Sequence, residues 1–217
     1  MSKKIRIEQL HTSIFTIIFS FLWYSFAQLP LIVGESLTNY SFIFNIFGII
    51  YVLVIAGSCI YVLSRIYSKY SNKNASLRKI ILFRYTLVFF IVMIAYNTFC
   101  DYILPTTKNQ KTIENMINGN TFFVGILIFT IIAPILEELI FRGLFINMIF
   151  KQNTFWIPVI SSGIIFGSLH AVSNITEWLY YVIFGMILAA SYKKTETLAV
   201  PIALHMINNA ISFFTTF

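Results

Sequence analysis

The chain has 217 residues, of which 58% are hydrophobic and only 11% are charged. Several apolar stretches exceed the roughly 18 to 20 residues that a helix needs to cross a bilayer, so a soluble globular protein is excluded. The formal net charge of +7 does not indicate nucleic-acid binding, because the basic residues cluster at the ends of apolar segments, as they do in the cytoplasmic loops of membrane proteins.

The hydropathy pattern predicts an all-α fold, a polytopic transmembrane bundle of about seven helices with a polar site within the membrane core. We expect one integral-membrane domain, residues 1–217, with an uncleaved first helix whose apolar run is longer than a signal-peptide core. The positive-inside rule places the N-terminus and the 65–79 loop in the cytoplasm. The predicted helices cover residues 12–34, 41–64, 80–104, 121–150, 155–172, 177–192 and 196–216.

The longest polar link between predicted helices is residues 105–121. We expect an ordinary connecting loop there. The alternative is a short interfacial helix, because Ile113, Met116 and Ile117 have helical spacing.

Three ionisable residues, Glu137, Glu138 and Arg142, interrupt the apolar run of the fourth predicted helix. Each costs about 2.5 to 3.5 kcal/mol near the middle of a membrane, a cost that packing alone does not explain. Glu138 and Arg142 are spaced i, i+4 and can pair on one face, whereas Glu137 points about 100° away. Pro134, one turn earlier, is expected to kink the helix beside a polar cavity. The alternative is a structural ion-pair cluster that holds helices together.

A histidine follows a small-residue pattern in the fifth predicted helix. Phe166 and His170 lie one turn apart, and Gly163 and Gly167 form a GxxxG pattern that lets another helix approach closely. A lone intramembrane histidine is commonly a hydrogen-bonding residue, but close packing favours contact with another helix. With these boundaries His170 lies near the outer end of its helix, so that helix is either tilted or begins later than residue 155.

The last predicted helix carries His205 and Asn209, spaced i, i+4, so that an imidazole and an amide share one face. Asn208 is turned away and is expected to be a helix-packing polar group. A carboxylate and an imidazole can together remove a proton from water and later protonate a leaving amine. A second imidazole and an amide can donate hydrogen bonds to a developing oxyanion. These residue types are the ones that hydrolysis of a peptide bond needs.

Three motifs in this order carry a family resemblance: EELIFR at 137–142, FGSLH at 166–170 and HMINN at 205–209. The sequence resembles the CPBP intramembrane proteases, the CAAX-endopeptidase and bacteriocin-processing group also called Abi. The resemblance covers roughly residues 121–213, which would form the catalytic core. It implies an all-helical membrane protein with its site inside the membrane, and it implies that the Glu–Arg pair is a structural and electrostatic support.

The resemblance also implies roles for four residues. Glu137 would activate the hydrolytic water together with His170, and His205 and Asn209 would stabilise the tetrahedral intermediate. Catalysis without a cofactor is favoured, as in a glutamate-type protease. The alternative is a zinc ion held by Glu137, His170 and His205 with one open position.

The predicted function is an intramembrane endopeptidase of the bacterial cell membrane, acting in peptide maturation or bacteriocin-type immunity. A peptide or a membrane protein in the lipid bilayer is the expected substrate. One alternative is an immunity protein that binds a peptide without cleaving it. Another is a proton-coupled transporter, which the absence of recognisable inverted repeats in the sequence disfavours.

Overall fold

A computed structural model describes residues 42–71, 77, 79–117, 121–150, 154–170 and 172–216, together with Ile18 and Leu22. No strand occurs in these ranges, which confirms the all-α prediction. The predicted first helix, residues 12–34, lies outside the described residues apart from Ile18 and Leu22. The described helices are α1 (Phe42–Tyr70), α2 (Lys79–Ile103), α3 (Lys108–Met116), α4 (Phe122–Ile149), α5 (Trp156–Leu169), α6 (Ile175–Thr195) and α7 (Ala199–Thr216).

Four of these helices are long and apolar enough to cross a membrane. They are Ile46–Tyr70 in α1, and the whole of α2, α4 and α6. Their lengths of 21 to 28 residues match the roughly 20 residues that a hydrocarbon core requires. Helix α5 is shorter, with 14 residues. The chain is therefore an integral membrane protein.

The prediction of a loop between the third and fourth predicted helices was wrong, because residues 108–116 form the short helix α3. Its first turn is capped by Thr107, whose hydroxyl oxygen accepts a hydrogen bond from the backbone N–H of Gln110 at 3.2 Å. A threonine at this position satisfies one of the backbone donors that a helix leaves unpaired at its start. That capping signal was present in the sequence and outweighs the polar composition of the segment.

The first long described helix extends further than predicted. Helix α1 continues to Tyr70, so Arg65 and Lys69 lie in its last turns and not in a loop. Long basic side chains can extend from a helix end to water while their methylene groups stay in apolar surroundings. Positive charge in the last turn also interacts favourably with the helix dipole.

The described residues form two compact units. The first unit contains α1 and α4. The buried stripe of α1 follows a spacing of four, three and four residues through Val52, Ala56, Cys59 and Leu63, which is the helical period of one contact face. The single-domain interpretation of residues 1–217 stays a prediction.

The second unit contains α2, α5, α6, α7 and nearly all of α3. Helices α5 and α6 approach closely at glycines: a Cβ atom on Gly167 would lie 2.8 Å from the backbone nitrogen of Val182. A Cβ atom on Gly185 would lie 3.0 Å from Cβ of Phe166. The close approach predicted from the GxxxG pattern is therefore confirmed, and α6 is the partner helix.

Candidate active site

The acidic motif lies on α4 in the first unit. Oε1 of Glu138 is 2.8 Å from Nη1 of Arg142, and both side chains are fully shielded from solvent. The predicted i, i+4 ion pair is thus confirmed. Glu137 is half-buried, and its Oε2 atom is shielded from solvent. The adjacent carboxylates of α4 therefore differ in environment, because one is fixed in an ion pair of the core and the other reaches a partly open position.

Helix α4 departs from regular α-helical hydrogen bonding on both sides of this motif. The stretches Ile126–Ile132 and Leu139–Ile146 are π-helical, and the intervening turn Ala133–Glu138 is α-helical. The N–H of Ala133, for example, bonds to the carbonyl of Ile128, five residues earlier. Such segments are rare and occur frequently at functional sites. They surround Pro134, whose missing N–H disrupts the α-helical pattern there. The kink itself stays a prediction.

His170 lies directly after the last residue of α5, with extended backbone angles of −85° and 147°. Its Nδ1 atom is 2.7 Å from the carbonyl oxygen of Phe166, which can only accept a hydrogen bond. Nδ1 therefore carries the proton in this bond, and Nε2 is the acceptor nitrogen of the neutral imidazole. Helix α5 begins at Trp156, so a later start does not account for the terminal position of this histidine.

The imidazole of His170 lies between two aromatic rings. The ring of Tyr181 on α6 stacks on it at 4.4 Å between centroids and an interplanar angle of 15°, and the ring of Phe166 lies at 4.3 Å. The predicted contact with another helix is confirmed. The hydroxyl of Tyr181 is in turn 2.8 Å from that of Thr107, just before α3. The start of α3 is therefore bonded to a side chain that supports His170.

His205 lies inside α7 and is 3% exposed. Its imidazole makes edge contacts with Phe166 at 5.8 Å and Phe184 at 5.5 Å. Phe166 thus contacts both histidines of the motifs, although they belong to different helices. Asn209, one turn after His205 on the same helix, is half-buried.

Three residues that contact the two histidines or Asn208 were not predicted from the sequence. Tyr181 and Phe184 contact the histidines, and Asn97 of α2 hydrogen-bonds to Asn208 of α7. A polar contact of Asn97 could have been predicted, because an amide within an otherwise apolar span needs a polar partner. The contacts of the two aromatic residues could not, because their spacing on α6 is compatible with lipid contact as well as with packing. The helix-packing role predicted for Asn208 is confirmed.

The structure places the site residues in two groups. Glu137, Glu138 and Arg142 lie in the first unit, and the two histidines with Asn209 lie in the second. Across the described ranges, no three His, Cys, Asp or Glu side chains are grouped so that they could hold a metal ion.

These features define an integral membrane protein that carries two glutamates and a histidine inside apolar helices and a second histidine at the end of another helix. Residues 119–211 match the family described as Type II CAAX prenyl endopeptidase Rce1-like. This match confirms the resemblance to the CPBP group over that part of the chain. All of the predicted site residues fall within the matched region.

Two curated proteins are similar to this chain. The "Putative membrane peptidase YdiL" of Bacillus subtilis (strain 168) is 33% identical over 103 residues, which are 48% of this chain and 41% of that protein. The "UPF0177 protein YvdC" of Lactococcus lactis subsp. lactis (strain IL1403) is 28% identical over 172 residues, 76% of this chain and 62% of that protein. The chain therefore spans less than two thirds of either relative. No solved structure matches it significantly.

Proposed function

We propose that this protein is an intramembrane endopeptidase in which Glu137 and His170 activate a water molecule. The observation that carries the proposal is the contact of Phe166 with both His170 and His205, within the region that matches a peptidase family. One aromatic side chain contacts both imidazoles, which we propose as a base and as an oxyanion donor. The buried Glu–Arg pair beside Glu137 supports the same interpretation, because packing alone would select apolar residues there.

The proposed reaction is addition of water to a peptide carbonyl, followed by loss of the amine. The carboxylate of Glu137 takes a proton from water as the water oxygen forms a bond to the carbonyl carbon. His170 accepts a hydrogen bond from the same water at Nε2. The proton then passes to the peptide nitrogen, the carbon–nitrogen bond breaks, and the products are a carboxyl group and an amine.

The oxyanion of the tetrahedral intermediate would receive hydrogen bonds from an N–H of His205 and the side-chain amide of Asn209. Donors aimed at developing charge in a water-poor site contribute strongly to catalysis; loss of one such donor lowers kcat by about 100- to 1,000-fold. In this mechanism every proton is held by a protein group or by water, so no metal is required. A zinc ion held by Glu137 and both histidines is the alternative mechanism.

The proposed substrate is a peptide or a membrane protein, and the proposed location is a bacterial cell membrane with the N-terminus in the cytoplasm. Both curated relatives come from bacteria, and one of them is named as a membrane peptidase. The proposed role is peptide maturation or bacteriocin-type immunity. Nucleic acid is not expected as a partner.

The decisive experiment compares the membrane proteomes of cells that carry the active protein and the Glu137→Gln variant. Peptide fragments are expected with the active protein and not with the variant, at equal expression. Glu114→Gln is the matched control: it makes the same chemical change on α3, outside the spans, and should retain cleavage. Full cleavage by Glu137→Gln would refute the proposed role. Protection against a peptide toxin that survives both Glu137→Ala and His170→Ala would support the binding alternative.

A further inference from the structure

A row of side-chain amides connects α2 to Asn209 within the second unit. Nδ2 of Asn97 donates a hydrogen bond to Oδ1 of Asn208, and Nδ2 of Asn208 donates to Oδ1 of Asn209 at 3.2 Å. At the other end of the row, the hydroxyl of Tyr180 donates to Oδ1 of Asn97 at 3.4 Å. Asn97 and Asn208 therefore each accept with the side-chain oxygen and donate with the side-chain nitrogen, and the row reaches the oxygen of Asn209.

Asn97 lies in surroundings where an amide is costly. Only 6% of the apolar window of α2 is buried inside the protein, so most of this span presents apolar side chains outward. An amide in hydrocarbon must be hydrogen-bonded within the protein, because no water is available there. The bond from Asn97 to α7 provides such a partner. A role in holding α2 and α7 together explains the bond from Asn97 to Asn208. It does not explain why Asn208 in turn donates to Asn209, a residue of the proposed site.

The direction of the row determines which way the last amide faces. A side-chain amide has an oxygen on one side and an NH2 group on the other, and it can bind an anion only with the NH2 group. Because the oxygen of Asn209 accepts from Asn208, a rotation that exchanges the positions of its oxygen and its NH2 group would break this bond and is disfavoured. An oxyanion donor needs this orientation, whereas the flipped amide would present an oxygen to the developing negative charge.

We propose that Asn97 and Asn208 are positioning residues that hold the Asn209 amide with its N–H groups directed toward the oxyanion. This inference rests on the proposed peptidase function. Asn97 touches neither substrate nor water in this scheme, and it acts through Asn208. Losing it should therefore affect the transition state and leave substrate binding nearly unchanged.

The kinetic test uses a synthetic peptide that spans the cleavage site found in the Glu137→Gln comparison. Asn209→Ala should lower kcat by about 100-fold or more, as loss of an oxyanion donor does. Asn97→Leu, which has nearly the same shape, should lower kcat by about 10-fold with KM within about twofold, since small misplacements of catalytic groups are costly. In the Asn209→Ala background, Asn97→Leu should have no further effect, because both changes remove the same interaction. Multiplicative losses in the double variant would overturn the proposal.

A matched control lies beside Asn97 on the same helix. The hydroxyl of Tyr96 donates to the backbone carbonyl of Tyr180 at 3.1 Å, so Tyr96→Phe removes a bond between α2 and α6 but leaves the row of amides intact. This variant should keep kcat within about twofold of the unaltered protein, since it leaves the Asn209 amide in place. A loss as large as that of Asn97→Leu would show that general helix adhesion, and not amide orientation, is responsible.

A second measurement does not depend on cleavage. In protein labelled with 15N-asparagine in detergent micelles, the side-chain amide signal of Asn209 should shift in Asn97→Leu and stay in place in Tyr96→Phe. An unchanged signal in Asn97→Leu would refute the hydrogen-bonded row itself. If the signal shifts but kcat is unchanged, the row of hydrogen bonds exists but does not position Asn209 for catalysis, and the proposal is refuted. An unreduced cleavage rate in Glu137→Gln or Asn209→Ala would instead refute the proposed function.

Discussion

The buried ion pair of α4 predicts a large loss of stability when one partner is removed. Glu138 and Arg142 are 0% exposed, with Oε1 and Nη1 2.8 Å apart. Removing one partner of such a pair leaves the other charge uncompensated and costs about 3 to 5 kcal/mol of unfolding free energy. Glu138→Leu and Arg142→Leu should therefore each lower the unfolding free energy by about 3 to 5 kcal/mol.

Replacing both partners should reverse most of this loss. Apolar residues in place of a buried ion pair are neutral or stabilising by about 1 to 4 kcal/mol, because the desolvation of two charges is avoided. We therefore expect the Glu138→Leu/Arg142→Leu double variant to unfold with a free energy within about 1 kcal/mol of the unaltered protein, or above it. The coupling energy of the four-protein cycle should therefore be about 5 kcal/mol or more, because the double variant avoids nearly all of both single losses.

The assay is reversible unfolding in mixed micelles of a non-ionic detergent and sodium dodecyl sulfate, followed by circular dichroism. Glu114→Leu on α3 is the control, since Glu114 is half-buried outside the core and its loss should change stability by less than about 1 kcal/mol. If each single variant loses less than about 1 kcal/mol, the pair is not a major element of the core. If the double variant loses the sum of both single changes, the two charges are not coupled.

Three further outcomes follow from other contacts. Gly167→Ala should destabilise the folded state by about 1 to 3 kcal/mol in the same unfolding assay, because its Cβ would meet the Val182 backbone. Gly57→Ala is the control: a Cβ atom there has nothing within 4 Å, so this variant should be neutral or slightly stabilising. Thr107→Val removes the hydroxyl bond to Tyr181 and should speed hydrogen exchange in α3 but not in α1, as measured by mass spectrometry. Purified protein should hold far less than one zinc ion per chain and keep its cleavage activity in a chelator; stoichiometric zinc with chelator-sensitive cleavage would favour the zinc alternative.

Features governed by spacing along one helix were predictable from the sequence. The Glu138–Arg142 pair depends only on the i, i+4 geometry of α4, and it is present as expected. The close approach of α5 to α6 also followed from local spacing, because two glycines one turn apart leave room for a neighbouring helix. The boundaries of the membrane helices followed from hydropathy, with the largest error at the end of α1, where basic residues continue the helix.

Features that depend on a partner distant in the sequence were not predictable in this way. The stacking of Tyr181 on His170 joins α6 to the end of α5, and the bond from Asn97 to Asn208 joins α2 to α7. No periodicity within one segment indicates which of several tyrosines or asparagines will find such a partner. The π-helical stretches of α4 were also missed, because apolar residues with helical spacing are compatible with both α- and π-helical hydrogen bonding.

The ion pair of α4 and the hydrogen bond from Asn97 to Asn208 differ in what their mutation can report. Both members of the Glu138–Arg142 pair lie on one helix, so the loss of this bond can appear as lost stability alone. The bond between Asn97 and Asn208 exists only when α2 and α7 are packed together. Since this bond leads on to Asn209, a change at α2 would alter both helix association and the orientation of an amide in the proposed site. Stability and kcat must therefore be measured together for the interhelical bond, and a variant that lowers kcat at unchanged stability would separate the two effects.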